Sequence, residues 1–304
     1  MMKAFDCLII GAGPCGIGAA IKLHEAGVNF GIIDGSTPGG KVNIAPRVDN
    51  YPGFKEIPGP DLAFKLFERL MDRGISIIGD NILSLTKEGD LFKLVGQFDE
   101  YTAKAVLIAS GTKERKVGLP KEDELLGHGI SYCALCDGHF FKGVDIAVIG
   151  GGNAALKEAI HLAHIGKKLY VIHRRNEFRG SNKLVDELKE MDNVEIITPY
   201  IPVEILGEDK VTGLVIENRE DGSHRTLDIQ GLFPLVGQIP NTTFVKIDGV
   251  LNEWGTIPVD RTMMTSCEGL FAGGDVLPRD IRQIYLAEHD GMVASKSIIE
   301  YLNK

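Results

Sequence analysis

Short apolar runs that end in glycine open the chain and recur near its middle. Asp6-Cys-Leu-Ile-Ile10 runs straight into Gly11, and Asp145-Ile-Ala-Val-Ile149 runs into Gly150. Runs this short, rich in β-branched residues and without polar alternation, predict strands buried on both faces. A helical pattern follows each: Ala19, Ala20 and Leu23 in the first, Ala159 and Leu162 in the second. Gly27 and Gly166 then stand where a left-handed C′ residue would end each helix. A second strand is predicted over Phe30–Ile33 and over residues 169–172. The two stretches superpose without a gap under a shift of 139 residues, so strand–turn–helix–strand occurs twice.

Less regular patterns fill the rest. Leu62, Leu66 and Leu70 predict a helix over 59–74, closed by Gly74. Residues 91–109 read as a strand meander. Residues 211–233 repeat that theme, with Asp221-Gly222 as a hairpin turn. A helix is expected over 181–191. Leu270–Ala272 reads as a strand running into Gly273-Gly274-Asp275, with a helix starting at Gln283. The prediction is an α/β fold of two Rossmann-like nucleotide-binding units, each a βαβ with an inserted β-meander. A length of 304 residues suits two domains.

Glycine is over-represented, 37 of 304 or about 12 %, against ~7 % in ordinary proteins. The repeat says where part of the surplus goes. Gly11, Gly13 and Gly16 fall on Gly150, Gly152 and Ala155, which is G-x-G-x-x-G/A twice over. The first glycine allows the tight turn, the second lets the backbone approach a pyrophosphate, and the third packs helix on strand. The pyrophosphate then lies at a helix N-terminus. Twenty-three residues past the first glycine, one unit has Asp34 and the other has His173, followed by Arg174 and Arg175, with Arg179 close by. A carboxylate there suits a ribose 2′-OH, whereas guanidinium groups suit a 2′-phosphate. The first unit therefore reads as a site for FAD or NAD and the second as one for NADPH.

The net charge of −9 argues against nucleic acid or an anionic membrane as the main partner. Asp6 and four nearby glycines and prolines make the N-terminus a poor signal peptide, so a cytoplasmic protein is expected. Five cysteines make a poor disulfide framework, but Cys133-Ala-Leu-Cys136 is a redox or metal spacing. At a helix start such a pair can close a disulfide, with the helix N-terminus stabilising the thiolate that opens it. Asp137 follows and could handle the proton. Two alternatives stand beside this. His128, Cys133, Cys136 and His139 could in principle hold zinc, although the set is crowded and no metal is expected; or the pair is buried and inert. Cys7 and Cys267 read as buried and inert, and Cys15 as a small side chain in the first turn. NADPH gives up a hydride, and a disulfide accepts it poorly. A flavin mediates between the two, which favours FAD in the first site.

The chain resembles the low-molecular-weight, bacterial-type thioredoxin reductases, class-II pyridine nucleotide-disulfide oxidoreductases, over essentially its full length. The likeness rests on Gly11-Ala-Gly-Pro-Cys-Gly16, Gly39-Gly40, Asn50-Tyr-Pro-Gly53, Cys133-Ala-Leu-Cys-Asp-Gly138, Gly150-Gly-Gly-Asn153, His173-Arg-Arg175 with Phe178-Arg179, Gly274-Asp275 and Arg282-Gln283. It implies a homodimer with a discontinuous FAD domain, residues 1–113 and 238–304, and an NADPH domain, residues 114–237. It implies that Cys136 faces the flavin, that Cys133 attacks the thioredoxin disulfide and that Asp137 is the acid. It places Gly11, Gly13, Pro14, Gly16, Asp34, Gly39, Gly40, Lys41, Asn50, Ala109, Asp275, Arg282, Gln283 and Ile284 on FAD. It places Gly152, Asn153, Ala154, His173, Arg174, Arg175 and Arg179 on NADPH. A glutaredoxin-like or peroxiredoxin-linked partner is the alternative for the same chemistry, and an NADPH-sensing binding protein with inert cysteines is the alternative in kind. Because cysteines and nicotinamide site share a domain yet need one flavin, rotation is expected about hinges near 111–115 and 236–241. Three segments depart from the family's pattern: Lys41 replaces Gln, Asn43-Ile-Ala-Pro-Arg47 replaces a Thr-rich stretch, and Tyr285-Leu-Ala-Glu-His289 replaces small and hydroxyl residues. Retention of the arginines separates the chain from ferredoxin-driven relatives that lose them.

Overall fold

The computed structural model describes residues 3–45 and 47–304; Pro46, inside the second departing segment, lies outside them. The chain forms two compact units. One holds the chain up to Lys113 together with Ile239–Lys304, and the other is Glu114–Gln238. Among the described residues no helix is long and apolar enough to cross a membrane.

The first unit begins with β1 (Lys3–Ile10), α1 (Pro14–Glu25) and β2 (Phe30–Ile33). Pro14 takes the first helical position, where its missing N–H costs nothing and its fixed φ suits the helix. Then come α2 (Gly59–Met71), β3 (Ile77–Ile78), β4 (Ile82–Glu88), β5 (Leu91–Gly96), β6 (Glu100–Ile108) and β7 (Thr112–Glu114). The second unit supplies α3 (Ala134–Asp137), β8 (Asp145–Ile149), α4 (Asn153–Ala163), β9 (Lys168–Ile172), α5 (Asn182–Lys189) and β10 (Val194–Ile197). It ends with β11 (Tyr200–Leu206), β12 (Gly213–Asn218), β13 (His224–Leu227), β14 (Gly231–Pro234) and β15 (Gln238–Pro240). The chain then returns to the first unit for β16 (Leu270–Ala272) and α6 (Ile284–Leu302). It passes between the units through β7 and β15, which pair with each other.

The first unit's sheet runs β3-β2-β1-β6-β5-β4 and forks at β6. Its lower half pairs antiparallel with β5 and its upper half, Val106 to Ile108, pairs parallel with β16. The second unit has a parallel sheet, β10-β9-β8-β14, and an antiparallel one, β11-β12-β13. The repeat extends to strand register. Cys7 lies opposite Phe30 and Ile146 opposite Leu169, so both partners move by the same 139 residues. The unbroken apolar runs are explained by burial on both faces. Cys7 and Ile9 enter one core and Leu8 and Ile10 another. Ile146 and Val148 likewise separate from Ala147 and Ile149.

Two expectations need correction. Gly27 is left-handed, φ +68°, but Gly166 is not. Its N–H closes onto the Leu162 carbonyl at 2.8 Å, and a Cβ there would come within 2.8 Å of Ile146 Cδ1. Close packing requires this glycine, and the sign of φ does not. Each meander also begins one strand earlier than expected, at β4 and at β11. Both are edge strands. Ser84, Thr86 and Lys87 dilute the apolar signal of β4, and Pro202 sits in β11 beside a register shift, which an edge tolerates.

α1 and α6 cross against one face of the first sheet. A Cβ on Gly291 of α6 would fall inside the Cys15 carbonyl of α1, with Ala19 N at 3.0 Å. Gly291→Ala should therefore force the helices apart and cost about 1–3 kcal/mol. Chemical denaturation checks this: the midpoint should fall, and an unchanged midpoint would show that the crossing carries no such constraint.

Candidate active site

β1 delivers Gly11 with φ +106°, a backbone that L side chains rarely adopt. A Cβ at Gly11 would strike the Ala109 carbonyl beyond β6, and one at Gly16 would strike the Gly11 carbonyl. These glycines seat turn, helix and strand on one another. Gly13 is different, since nothing lies within 4 Å of its Cβ position. It also caps α1 without a side-chain bond. α1 therefore begins with no side-chain cap, and a helix start left uncapped in this way is the arrangement that binds a pyrophosphate.

The other segments of the first unit close on this turn. Asp34, just past β2, accepts the Ala12 N–H at 2.6 Å and both the N–H and Oγ–H of Ser36 at 2.7 Å. Its carboxylate is thus held against the glycine turn. Gly39 donates its N–H to the Ala12 carbonyl at 2.7 Å. Lys41 donates to Thr112 Oγ1 at 3.1 Å, and its ammonium lies 3.7 Å from the Asp275 carboxylate. Asp275 follows Gly274, whose N–H goes to the buried Asp290 of α6 at 2.8 Å; Arg279 pairs with the same carboxylate oxygen at 2.6 Å. Arg282 Nε reaches the Asp275 carbonyl at 3.5 Å. Asn50 donates to Gln283 Oε1 at 2.9 Å, and Gln283 caps α6 just before Ile284.

Glu288 gives a physical meaning to one departing segment. It accepts Tyr51 O–H at 2.6 Å and Arg69 Nη1 at 2.5 Å, tying the 50–51 loop to α2 and α6. Burial first, and Glu288 second, push the Tyr51 hydroxyl up to about 12. An uncapped helix start, an accepting carboxylate just past β2, two amides and one lysine form a polar set that fits a dinucleotide.

The second unit repeats the turn with different chemistry. A Cβ on Gly150 would come within 2.6 Å of both Ala155 Cβ and the Leu235 carbonyl. Gly152 caps α4 without a side-chain bond. Asn153 opens the helix and accepts the Ser181 N–H at 2.7 Å; Ala154 beside it is exposed. His173 stacks on Phe178, with centroids 4.9 Å apart and planes 21° apart. Burial, the largest cause, lowers its pKa, and Nε2 is buried without a protein partner. Arg174 and Arg175 line a cleft of about 410 Å³ together with Ile201 and Arg219. Arg179 is not in that lining; its Nη2 lies 3.4 Å from the Cβ position of Gly152, at the start of α4. Among the described residues, none of these four arginines has a carboxylate within 4 Å. An unneutralised cluster of guanidinium groups beside an open helix N-terminus fits a phosphorylated nucleotide.

Cys133 and Cys136 are joined as a disulfide with Cα atoms 5.3 Å apart. Cys133 is the N-cap of α3, and its sulfur accepts the Cys136 N–H at 3.2 Å. A thiolate released at Cys133 would keep that donor. Asp137 is buried and accepts Ser131 O–H at 2.6 Å, while Ser131 Oγ takes the Cys133 N–H at 3.1 Å. The Asp137 carboxylate and the Cys133 backbone are thus held together through Ser131. Leu135, between the cysteines, is exposed. Glu158 of α4 accepts the Ala134 N–H at 2.8 Å; nothing in the sequence marked this residue, because only the fold brings α4 under α3. Asp290 and Arg219 were missed for the same reason. Cys7 and Cys15 are buried, and burial pushes both thiols up. Cys267 is only half-buried, contrary to expectation, because it lies in the turn that precedes β16.

Residues 5–291 match the family described as pyridine nucleotide-disulphide oxidoreductase. A relative from Mycoplasma pneumoniae named thioredoxin reductase is 40% identical over 302 residues, 98% of this chain and 95% of its own. The solved thioredoxin reductase of Streptococcus pyogenes is 38% identical with a TM-score of 0.93, covering 99% of this chain and 98% of that one. That of Giardia duodenalis is 30% identical with a TM-score of 0.94, covering 99% and 100%. The likeness runs from the first glycine turn to the last helix, and this protein belongs to the pyridine nucleotide-disulphide oxidoreductase family, in its thioredoxin reductase branch.

Proposed function

We propose that the protein is an NADPH-dependent, FAD-containing reductase of thioredoxin that works as a homodimer. Family membership carries the use of a flavin and a pyridine nucleotide. The single observation that carries the rest is the Cys133–Cys136 disulfide, set at a helix N-cap in the same unit as the arginine cleft. Gly11, Gly13, Gly16, Asp34, Gly39, Gly40, Asn50, Asp275 and Gln283 would hold FAD. Gly152, Asn153, His173, Arg174, Arg175 and Arg179 would hold NADPH. When bound, the two cofactors supply the electron pair, which passes from nicotinamide to flavin and on to sulfur.

The chain's own residues do the remainder. Reduction breaks the S–S bond and takes up one proton, leaving a thiol and a thiolate. The Cys136 N–H and the N-cap position favour the thiolate on Cys133. Cys133 attacks the disulfide of thioredoxin, forming a mixed disulfide and expelling a thiolate. Asp137, which directly follows Cys136 and is held by the Ser131 hydroxyl, is the acid for that leaving group once it has taken up a proton. Cys136 then gives up its proton and attacks Cys133 sulfur, restoring the internal disulfide; the thiolate expelled from thioredoxin takes up that proton, so thioredoxin leaves with both cysteines reduced.

The test is reduction of DTNB by NADPH with and without added thioredoxin. Thioredoxin-dependent turnover with NADPH, and little with NADH, is expected. Turnover that needs a glutaredoxin-like protein instead would overturn the partner. No disulfide reduction with either protein would overturn the activity.

A further inference from the structure

Arg219 lies just past β12, in the turn to β13, outside every nucleotide-binding motif of the sequence. We propose that it is a further specificity-determining residue, supplying the third guanidinium that grips the 2′-phosphate of the nucleotide. This rests on the NADPH reading above.

Three separate segments are knit together at this point. Tyr200 donates its N–H to the His173 carbonyl at 3.0 Å, Arg219 donates its N–H to the Pro199 carbonyl at 2.9 Å, and Arg219 Nη1 donates to the Arg174 carbonyl at 3.1 Å. The result is the cleft lined by Arg174, Arg175, Ile201 and Arg219. It gathers three cations and no acid. Nearby carboxylates are engaged elsewhere: Glu220 accepts Asn176 Nδ2 at 2.9 Å, and Glu217 meets His224 at 3.2 Å. Like charges collected without a counter-ion repel, and a bound dianion relieves that repulsion. A phosphate monoester is largely dianionic near neutral pH and offers three acceptor oxygens.

The geometry also divides the labour among the arginines. Arg179 stands at Gly152, where α4 begins and where the pyrophosphate of a dinucleotide would lie. Arg219 stands with Arg174 and Arg175 in the cleft and adds a guanidinium to that pair. A guanidinium has five N–H donors, of which the Arg174 carbonyl uses one, so Arg219 can brace the loop and contact the phosphate together.

Isothermal titration with 2′,5′-ADP and with 5′-AMP tests this without any flavin or cysteine chemistry. Arg219→Ala should weaken 2′,5′-ADP about tenfold and leave 5′-AMP unchanged. Arg219→Gln keeps an amide donor for the Arg174 carbonyl but loses the charge, and should weaken 2′,5′-ADP to the same degree. In both variants, affinity for 2′,5′-ADP should fall less steeply with salt than in the wild type. Wild-type affinity in Arg219→Gln would reduce Arg219 to a brace and overturn the proposal, as would an unchanged Arg219→Ala. If the wild type also fails to distinguish 2′,5′-ADP from 5′-AMP, the NADPH reading falls with it. Loss confined to Arg174→Ala and Arg175→Ala would leave that reading standing and overturn only the role of Arg219.

Discussion

Cys133→Ser should leave the flavin in contact with a lone thiolate on Cys136 and give long-wavelength charge-transfer absorbance. Cys136→Ser should lack that band and instead trap a mixed disulfide between Cys133 and thioredoxin. Thioredoxin-linked turnover should fall in both by ~10³-fold or more, because neither half of the exchange can finish alone. The asymmetry follows from the local structure. Cys133 caps α3 and keeps the Cys136 N–H as a donor to its sulfur, so the thiolate that leaves the disulfide is best stabilised there. Only the thiolate is nucleophilic, so the proposed function gives Cys133 to the protein substrate. Absorbance spectra and non-reducing gels of the two variants check this. The band in Cys136→Ser and the trapped complex in Cys133→Ser would reverse the assignment.

Replacing Arg174 and Arg175 together by alanine should lower kcat/KM for NADPH by ~10- to 1000-fold and hardly touch NADH. Each charge-assisted contact to a phosphate contributes about 1.5–3 kcal/mol, less where water competes, and ~1.4 kcal/mol is a factor of ten. Both side chains are exposed at the rim of their cleft, which places the expected loss below the full sum. Steady-state kinetics with both nucleotides decides it. Equal losses for NADPH and NADH would mean that the arginines support the fold of the loop and do not read the 2′-phosphate.

The parts of this molecule that were legible in the sequence are those in which one residue type has one physical cause. β1 and β8 are apolar throughout because both faces are buried, and the same burial fixes their common register. Gly11 and Gly16 were readable because strand, turn and helix meet at those positions. Legibility failed where one signal has two causes. Gly166 stands where a left-handed cap would, yet serves close packing against Ile146. It failed at edges as well, since β4 and β11 need not be apolar. It failed most for residues whose role comes from another segment. Glu158 reaches α3 from α4, Asp290 holds Gly274 from α6, and Arg219 meets Arg174 across 45 residues. The departures at Lys41 and Glu288 were visible as oddities only. Their partners, Asp275 for one and Tyr51 with Arg69 for the other, had to be seen in three dimensions.

In the proposed function, flavin and cysteine pair form one electron path fed by NADPH. Anaerobic titration of the purified yellow protein with NADPH tests it most directly. Full reduction should take up four electrons per chain, two on the flavin and two on the Cys133–Cys136 disulfide, and the Cys133→Ser variant should take up two. Saturation of the wild type at two electrons would put the disulfide outside the path and rule out this electron route.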